Sequence, residues 1–189
     1  MIRIRRGDFN YSSNEIQSML EEVKLFKEAG ADGIVFGCLK ENHDIDFEKC
    51  SALAFAWGGG PMTFHRAFDL TSNDQAEENI QLLSEMGFTR ILSSGFEATA
   101  EKGIENLKNL VDIGIKWGVT VMPGAGVNGE NISKIVRNTG CNEFHGSARS
   151  AKSVIQSKLS MGGGVEDLLP LMVCDPNKVQ ELLRNCHSI

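Results

Sequence analysis

Short stretches with the two-residue period of a β-strand alternate along this chain with longer stretches of helical period. Strand signals fall at 1–5, 33–37, 62–66, 89–93, 119–122 and 143–145; helical ones fall at about 13–29, 47–57, 74–86, 99–117 and 131–138. Gly30, Gly87, Gly118 and Gly140 close helices just ahead of the next strand, and Ser12 with Glu15 forms a capping box at the first helix. Successive strands begin roughly 25–30 residues apart, the length of one βα unit. A chain built this way makes a parallel sheet covered by helices, either a barrel or an open doubly wound sheet.

The strand faces decide between the two. Ile2, Ile4, Met62, Phe64, Phe88, Leu92, Val119, Val121 and Phe144 are read as an apolar set packed under helices. Arg3, Arg5, Thr63, His65, Thr120, Met122, Glu143, His145 and Ser147 are read as the opposite, polar face. An open α/β sheet carries helices on both faces and is apolar on both, so a polar face favours an α/β TIM-type (β/α) barrel with a site in its lumen. The barrel is expected to be incomplete, with about six of eight βα units. A full one takes about 250 residues, whereas this chain has 189 and its first residue already sits in a strand pattern. The expectation is one domain over 1–189, lacking N-terminal βα units, with 150–189 a C-terminal loop and closing helix. Within it, Met161 to Gly164 reads as flexible, and Asp175 caps a helix opened by Pro176. Unpaired outer strands leave edges through which a homo-oligomer could form.

A net charge of −6 argues against nucleic acid or an anionic membrane as partner. No apolar run approaches the roughly 18 residues of a membrane span, and no leader pattern is seen. Five cysteines, Cys38, Cys50, Cys141, Cys174 and Cys186, are odd in number and widely spaced. They read as reduced thiols of a cytoplasmic protein, most of them small buried hydrophobes.

In βα barrels the chemistry sits at the C-terminal ends of the strands, and three constellations gather there. Arg3, Arg5, Arg66 and Arg149 either clamp an anion through their guanidinium forks or are neutralised by Asp8 and Asp69 in an ion-pair network. Gly124 and Gly126, ahead of the helix-capping Asn128, either cradle an oxyanion or simply make a tight turn, and Ser147 could add a hydroxyl. His65, His145 and Met122 share a face. Imidazole and thioether suit a soft or borderline metal, while a neutral imidazole also serves as acid or base. Two histidines and one methionine do not by themselves define a metal site. Cys38, near a strand end, is a further ligand candidate or a packing residue; Asp44 and Asp46 fit capping roles ahead of a helix.

Taken in order, Met1-Ile-Arg-Ile-Arg-Arg-Gly-Asp-Phe9, Gly30-Ala-Asp-Gly-Ile-Val-Phe-Gly37, Thr63-Phe-His-Arg-Ala-Phe-Asp69, Arg90-Ile-Leu-Ser-Ser-Gly95, Met122-Pro-Gly-Ala-Gly126 and Glu143-Phe-His-Gly-Ser-Ala-Arg149 resemble the CutC copper homeostasis family. The resemblance implies a TIM-type barrel, a cytoplasmic role with nuclear access in a eukaryote, and copper tolerance through Cu(I) binding, with no organic cofactor. It also implies two further βα units ahead of Met1. Ile4, Arg6 and Ala125 depart from the family pattern, and Gly146 leaves no thiol in the last motif. Two function classes stay open. One is a Cu(I)-binding protein using His65, His145, Met122 and Cys38. The other is a barrel enzyme for a small anionic or phosphorylated substrate, with His65 or His145 as acid–base and the arginines, Gly124, Gly126 and Ser147 as anion site.

Overall fold

Helix α1 (Ser13–Glu28) starts where the sequence places it. The Ser12 side chain accepts from the Glu15 N–H, and the Glu15 carboxylate accepts from the Ser12 N–H, satisfying two otherwise orphaned donors. Its buried stripe is Ile16, Met19 and Val23. The computed structural model describes residues 1–152 and 170–187; the Met161 to Gly164 run lies outside them.

Four strands follow, β1 (Ile34–Phe36), β2 (Met62–Phe64), β3 (Arg90–Ser93) and β4 (Thr120–Pro123), alternating with helices α2 (Phe47–Trp57), α3 (Ala76–Glu85), α4 (Ile104–Trp117) and α5 (Ile132–Thr139). The strands are all parallel and lie in the order β1-β2-β3-β4. A doubly wound sheet reverses its order at a switch point; sequential order is the barrel pattern. The fold is therefore α/β and TIM-like, an arc of a barrel among the described residues.

Register explains the core. Phe36, Phe64, Ile91 and Val121 form one row across the sheet, each buried to 4 % exposure or less. Phe88 packs on Phe36 and Phe64 with ring centroids 4.9 and 5.5 Å apart. Leu53, Ile80, Leu83, Leu107 and Leu110 complete the layer from the helices. The row before it, Val35, Thr63, Arg90 and Thr120, faces the other way; all but Thr63 are only partly buried.

The expected outer strands are not strands. Residues 1–5 and 143–145 lie beside the sheet but are each joined to it by one backbone bond, Ile2 N–H to Val35 O and His145 N–H to Pro123 O, both 2.8 Å. The first segment bends away because Gly7 takes φ 95° and its carbonyl accepts from Arg3 Nη2. The second is drawn inward by the Arg90–Glu143 ion pair and turns at Ala148, φ 44°. Residues beyond 150 also hold more than a loop and helix. β5 (Arg149–Lys152) pairs antiparallel with β6 (Leu171–Cys174), and α6 (Pro176–His187) packs on α5. The polar Arg-Ser-Ala-Lys run lacks the alternation that announces a strand. The helix expected from residue 99 starts at Ile104, because Gly103 is pressed against the Ser94 carbonyl, which a Cβ there would meet at 1.9 Å.

Candidate functional site on the lumen face

One residue beyond the buried aromatic row, the strands turn Gly37, His65, Leu92 and Met122 toward the lumen. His65 is 5 % exposed. Its ring lies 4.6 Å from that of Phe9, and Gly37 is what makes room for it: a Cβ there would stand 2.8 Å from the imidazole. His65 Nδ1 accepts from the Ala67 N–H at 3.3 Å, so the neutral ring carries its proton on Nε2. That Nε2 is buried and has no hydrogen-bond partner. Burial lowers the His65 pKa to about 4 and keeps the ring neutral at physiological pH.

The arginines divide. Arg66 Nε donates to Asp69 Oδ2 at 2.8 Å and its Nη2 to Ser94 Oγ at 2.8 Å. Asp69 is a hub: it also accepts from Ser93 Oγ (2.6 Å), Ser94 N (3.0 Å) and Phe96 N (3.3 Å), tying the loop after β3 to the 3-10 turn Arg66–Leu70. Arg5 bonds Glu15, Asp8 and the Asn10 carbonyl. Hydrogen bonding to Arg5 holds the Glu15 pKa down at about 2. Two of the four arginines thus serve the ion-pair network. Arg3 donates to Gly7 O and stacks 4.8 Å over Phe9, roofing His65. Arg149 stands apart on β5.

Gly126, Ser147 and Arg149 do meet, in a cavity of about 340 Å³ that Lys178 and Glu181 of α6 also line. The N–H groups of the loop below it are already used: Glu130 and Asn131 donate to Asn128 Oδ1, and Asn128 donates to Asn131 Oδ1. Gly124 is a packing glycine, its Cα facing Leu92, whose Cδ1 a Cβ would meet at 2.5 Å. Met122 is half-buried on the lumen side and His145 is exposed.

Cys38 is fully buried. It lies on the face opposite His65, and the neighbouring Cys50 thiol and burial push its pKa up. All five cysteines are free, and among the described residues no three His, Cys, Asp or Glu side chains gather as a metal cage. The residue the sequence reading missed is Arg90, which pairs with Glu143 of the segment beside β4. Its alternation with the buried Ile91 was the available signal. No helix among the described residues is long and apolar enough to cross a membrane.

Known proteins match this arrangement. The chain is 45% identical over 149 residues to a copper homeostasis protein cutC homolog of Drosophila melanogaster, covering 78% of this chain and 56% of that protein. It is 39% identical over 187 residues to the mouse (Mus musculus) protein of the same name, covering 96% of this chain and 68% of the relative. A solved CutC structure from Streptococcus agalactiae superposes with a TM-score of 0.73 at 34% identity, over 76% of this chain and 69% of the other. The chain thus spans little more than half the length of the fly relative. The family profile described as "CutC family" matches residues 1–150. On the sequential parallel sheet, the lumen histidine and these matches together, the chain belongs to the CutC family.

Proposed function

We propose that this chain serves copper homeostasis in the cytoplasm by holding Cu(I) as cargo between His65 and Met122. The observation that carries the reading is the lumen row: His65 and Met122 sit at equivalent register on β2 and β4, with the apolar Leu92 between them. Two strand spacings amount to roughly 10 Å, which an imidazole and a thioether reaching toward each other can span. Cu(I) accepts such soft and borderline donors in low coordination numbers. It needs a neutral ring, which burial provides down to a pKa of about 4. Binding at Nε2 shifts the remaining proton to Nδ1 and deprives the buried Ala67 N–H of its acceptor, a cost of about 1–3 kcal/mol. His145, exposed at the rim, is a further donor for capture.

The test is anaerobic Cu(I) titration against a competing chelator. Stoichiometric binding that weakens in His65→Ala and Met122→Ala supports the reading. Uptake indifferent to both substitutions removes it from the lumen.

A second reading draws on the same histidine. An Nε2–H donor without a partner suits a carbonyl or oxyanion oxygen, which keeps a barrel enzyme for a small anionic substrate in view. With Arg5 and Arg66 engaged in ion pairs, Arg3, stacked over the Phe9 ring beside His65, is left to attract such an anion. Phosphate or a small carboxylate raising the thermal midpoint would favour this reading, and flat melting curves across anions would dismiss it.

A further inference from the structure

We propose that the outer face of α2 docks a second copy of this chain, the two α2 helices crossing antiparallel about a two-fold axis. This dimer forms whatever the lumen binds. Phe55 is 88 % exposed, more than any other large apolar residue among those described, and Phe47, about two turns earlier, is 50 % exposed. A single exposed ring is ordinary on a protein surface. Phe55, however, stands at the lip of an apolar cavity of about 440 Å³ walled by Ser51, Ala54, Met62, Met86 and Gly87. The Ser51 hydroxyl there is already shut off from solvent and unpartnered, so covering it removes no hydrogen bond. A knob beside a hole is self-complementary: about a two-fold axis each copy gives one and receives the other.

The helical period fixes the register. Cys50, Leu53 and Trp57 are buried, which turns Glu48, Ser51, Ala52 and Phe55 outward, with Phe47 at their flank. Bulky rings mark the ends of this face and small residues its middle, so two copies can approach closely. With Phe55 set opposite Ser51 of the other copy, each ring enters the other's cavity. The same antiparallel register brings Phe47 opposite Gly59 and Glu48 opposite Gly58. Gly59 leaves room for a ring, since a Cβ there would meet nothing within 4 Å. Beside Gly58 sits the Lys27 ammonium of α1, 2.9 Å from where a Cβ would stand. Glu48 and Lys27 are both exposed, and neither side chain has an ionic partner among the described residues. Across the axis each becomes the other's countercharge, twice per dimer. At about 200 Å² for a ring, the exposed parts of Phe47 and Phe55 supply roughly 280 Å² per copy. That is about a third of the roughly 800 Å² a standard interface takes from each side. The cavity walls and the glycine turn add to it, which places the contact among small interfaces with micromolar dissociation.

The experiment is sedimentation equilibrium of the whole chain under reducing conditions, from below to well above the micromolar range. The wild type should pass from monomer to dimer. Phe55→Ser, an exposed position whose loss leaves the core intact, should weaken the dimer at least about a hundredfold. Glu48→Lys and Lys27→Glu should each weaken it by about tenfold through like charges across the axis. The double variant Glu48→Lys/Lys27→Glu restores opposite charges and should return to near the wild-type constant. A chain that stays monomeric throughout overturns the proposal. A dimer indifferent to Phe55→Ser assembles through another face and overturns it as well. A charge-swapped double variant that dimerises no more tightly than the single ones overturns the antiparallel register on which the proposal stands.

Discussion

Replacing Asp69 by alanine removes the group on which the site's two loops converge, and the loss can be worked out from its partners. The carboxylate is 6 % exposed as a side chain and accepts from Ser93 Oγ, the Ser94 N–H, the Phe96 N–H and Arg66 Nε. Ser93 and Ser94 are themselves fully buried, so their donors have no water to turn to. Each buried donor left unsatisfied costs about 1–3 kcal/mol. The Phe96 N–H is half-shielded and adds less. Arg66, whose side chain is 42 % exposed, recovers most of its hydrogen bonding from solvent and is discounted. The sum is about 4 kcal/mol, near the range for breaking a buried charged pair. In a domain of this size that is roughly 8–16 °C in melting temperature, taking about 2–4 °C per kcal/mol. Urea unfolding of wild type, Asp69→Ala and Arg66→Ala measures it, with Arg66→Ala expected to lose under about 1 kcal/mol. If Asp69→Ala loses less than about 1 kcal/mol, or no more than Arg66→Ala, the hub does not hold the loops and the argument is wrong.

Gly37→Ala places a Cβ 2.8 Å from the His65 ring and 3.0 Å from Phe64. It should cost about 1–3 kcal/mol by overpacking and displace the His65 imidazole, read as a shift of its proton resonances and as weaker Cu(I) uptake. His65 should also make stability pH-dependent. The native ring titrates at about 4 and the unfolded one at 6.5. The unfolded state therefore takes up a proton first, and stability present above pH 6.5 falls by about 3 kcal/mol as pH drops toward 4. The difference in unfolding free energy between wild type and His65→Gln, followed from pH 7 to 4, isolates this term from the carboxylates; a flat difference refutes it. Ser12→Ala removes the cap on α1 and should cost about 1 kcal/mol, visible as a lower melting temperature with an unchanged denaturant slope.

The helices and inner strands were legible because their signals are local. Ser12 and Glu15 announce α1, Gly118 and Gly140 take φ 69° and 71° at helix ends, and Val121 alternates with partly buried neighbours; β3 is the exception, since Leu92, expected under the helices, faces the lumen and Ile91 takes the buried place. Placing His65 on the lumen needed only the parity of a strand. Much of what failed to show depends on groups far away in sequence. Residues 143–145 are held by Arg90 through Glu143, 53 positions away, whereas the bend of residues 1–5 rests on the local Arg3–Gly7 bond, which the strand alternation there masked. The arginine question was likewise open in the sequence: Asp8 and Asp69 stood close enough to neutralise Arg5 and Arg66, and only the folded geometry shows that they do. The contact of the Cys50 thiol with the Cys38 carbonyl escaped notice because its two halves belong to different elements, a strand end and a helix face.

The single bonds that tether Ile2 and His145 to the sheet bear on how the molecule breathes. Amides of β2 and β3 are flanked by ladders on both sides, whereas those of β1 and β4 have a full ladder on one side only. Protection against hydrogen exchange should therefore decline outward from the middle of the sheet. His65 directly follows β2 and donates its N–H to the Phe36 carbonyl, next to the best-protected zone, while Met122 on β4 and Cys38 just past β1 lie at its margins. Copper bound across the row would join the quietest part of the sheet to its restless border, and its arrival should be felt most by the border.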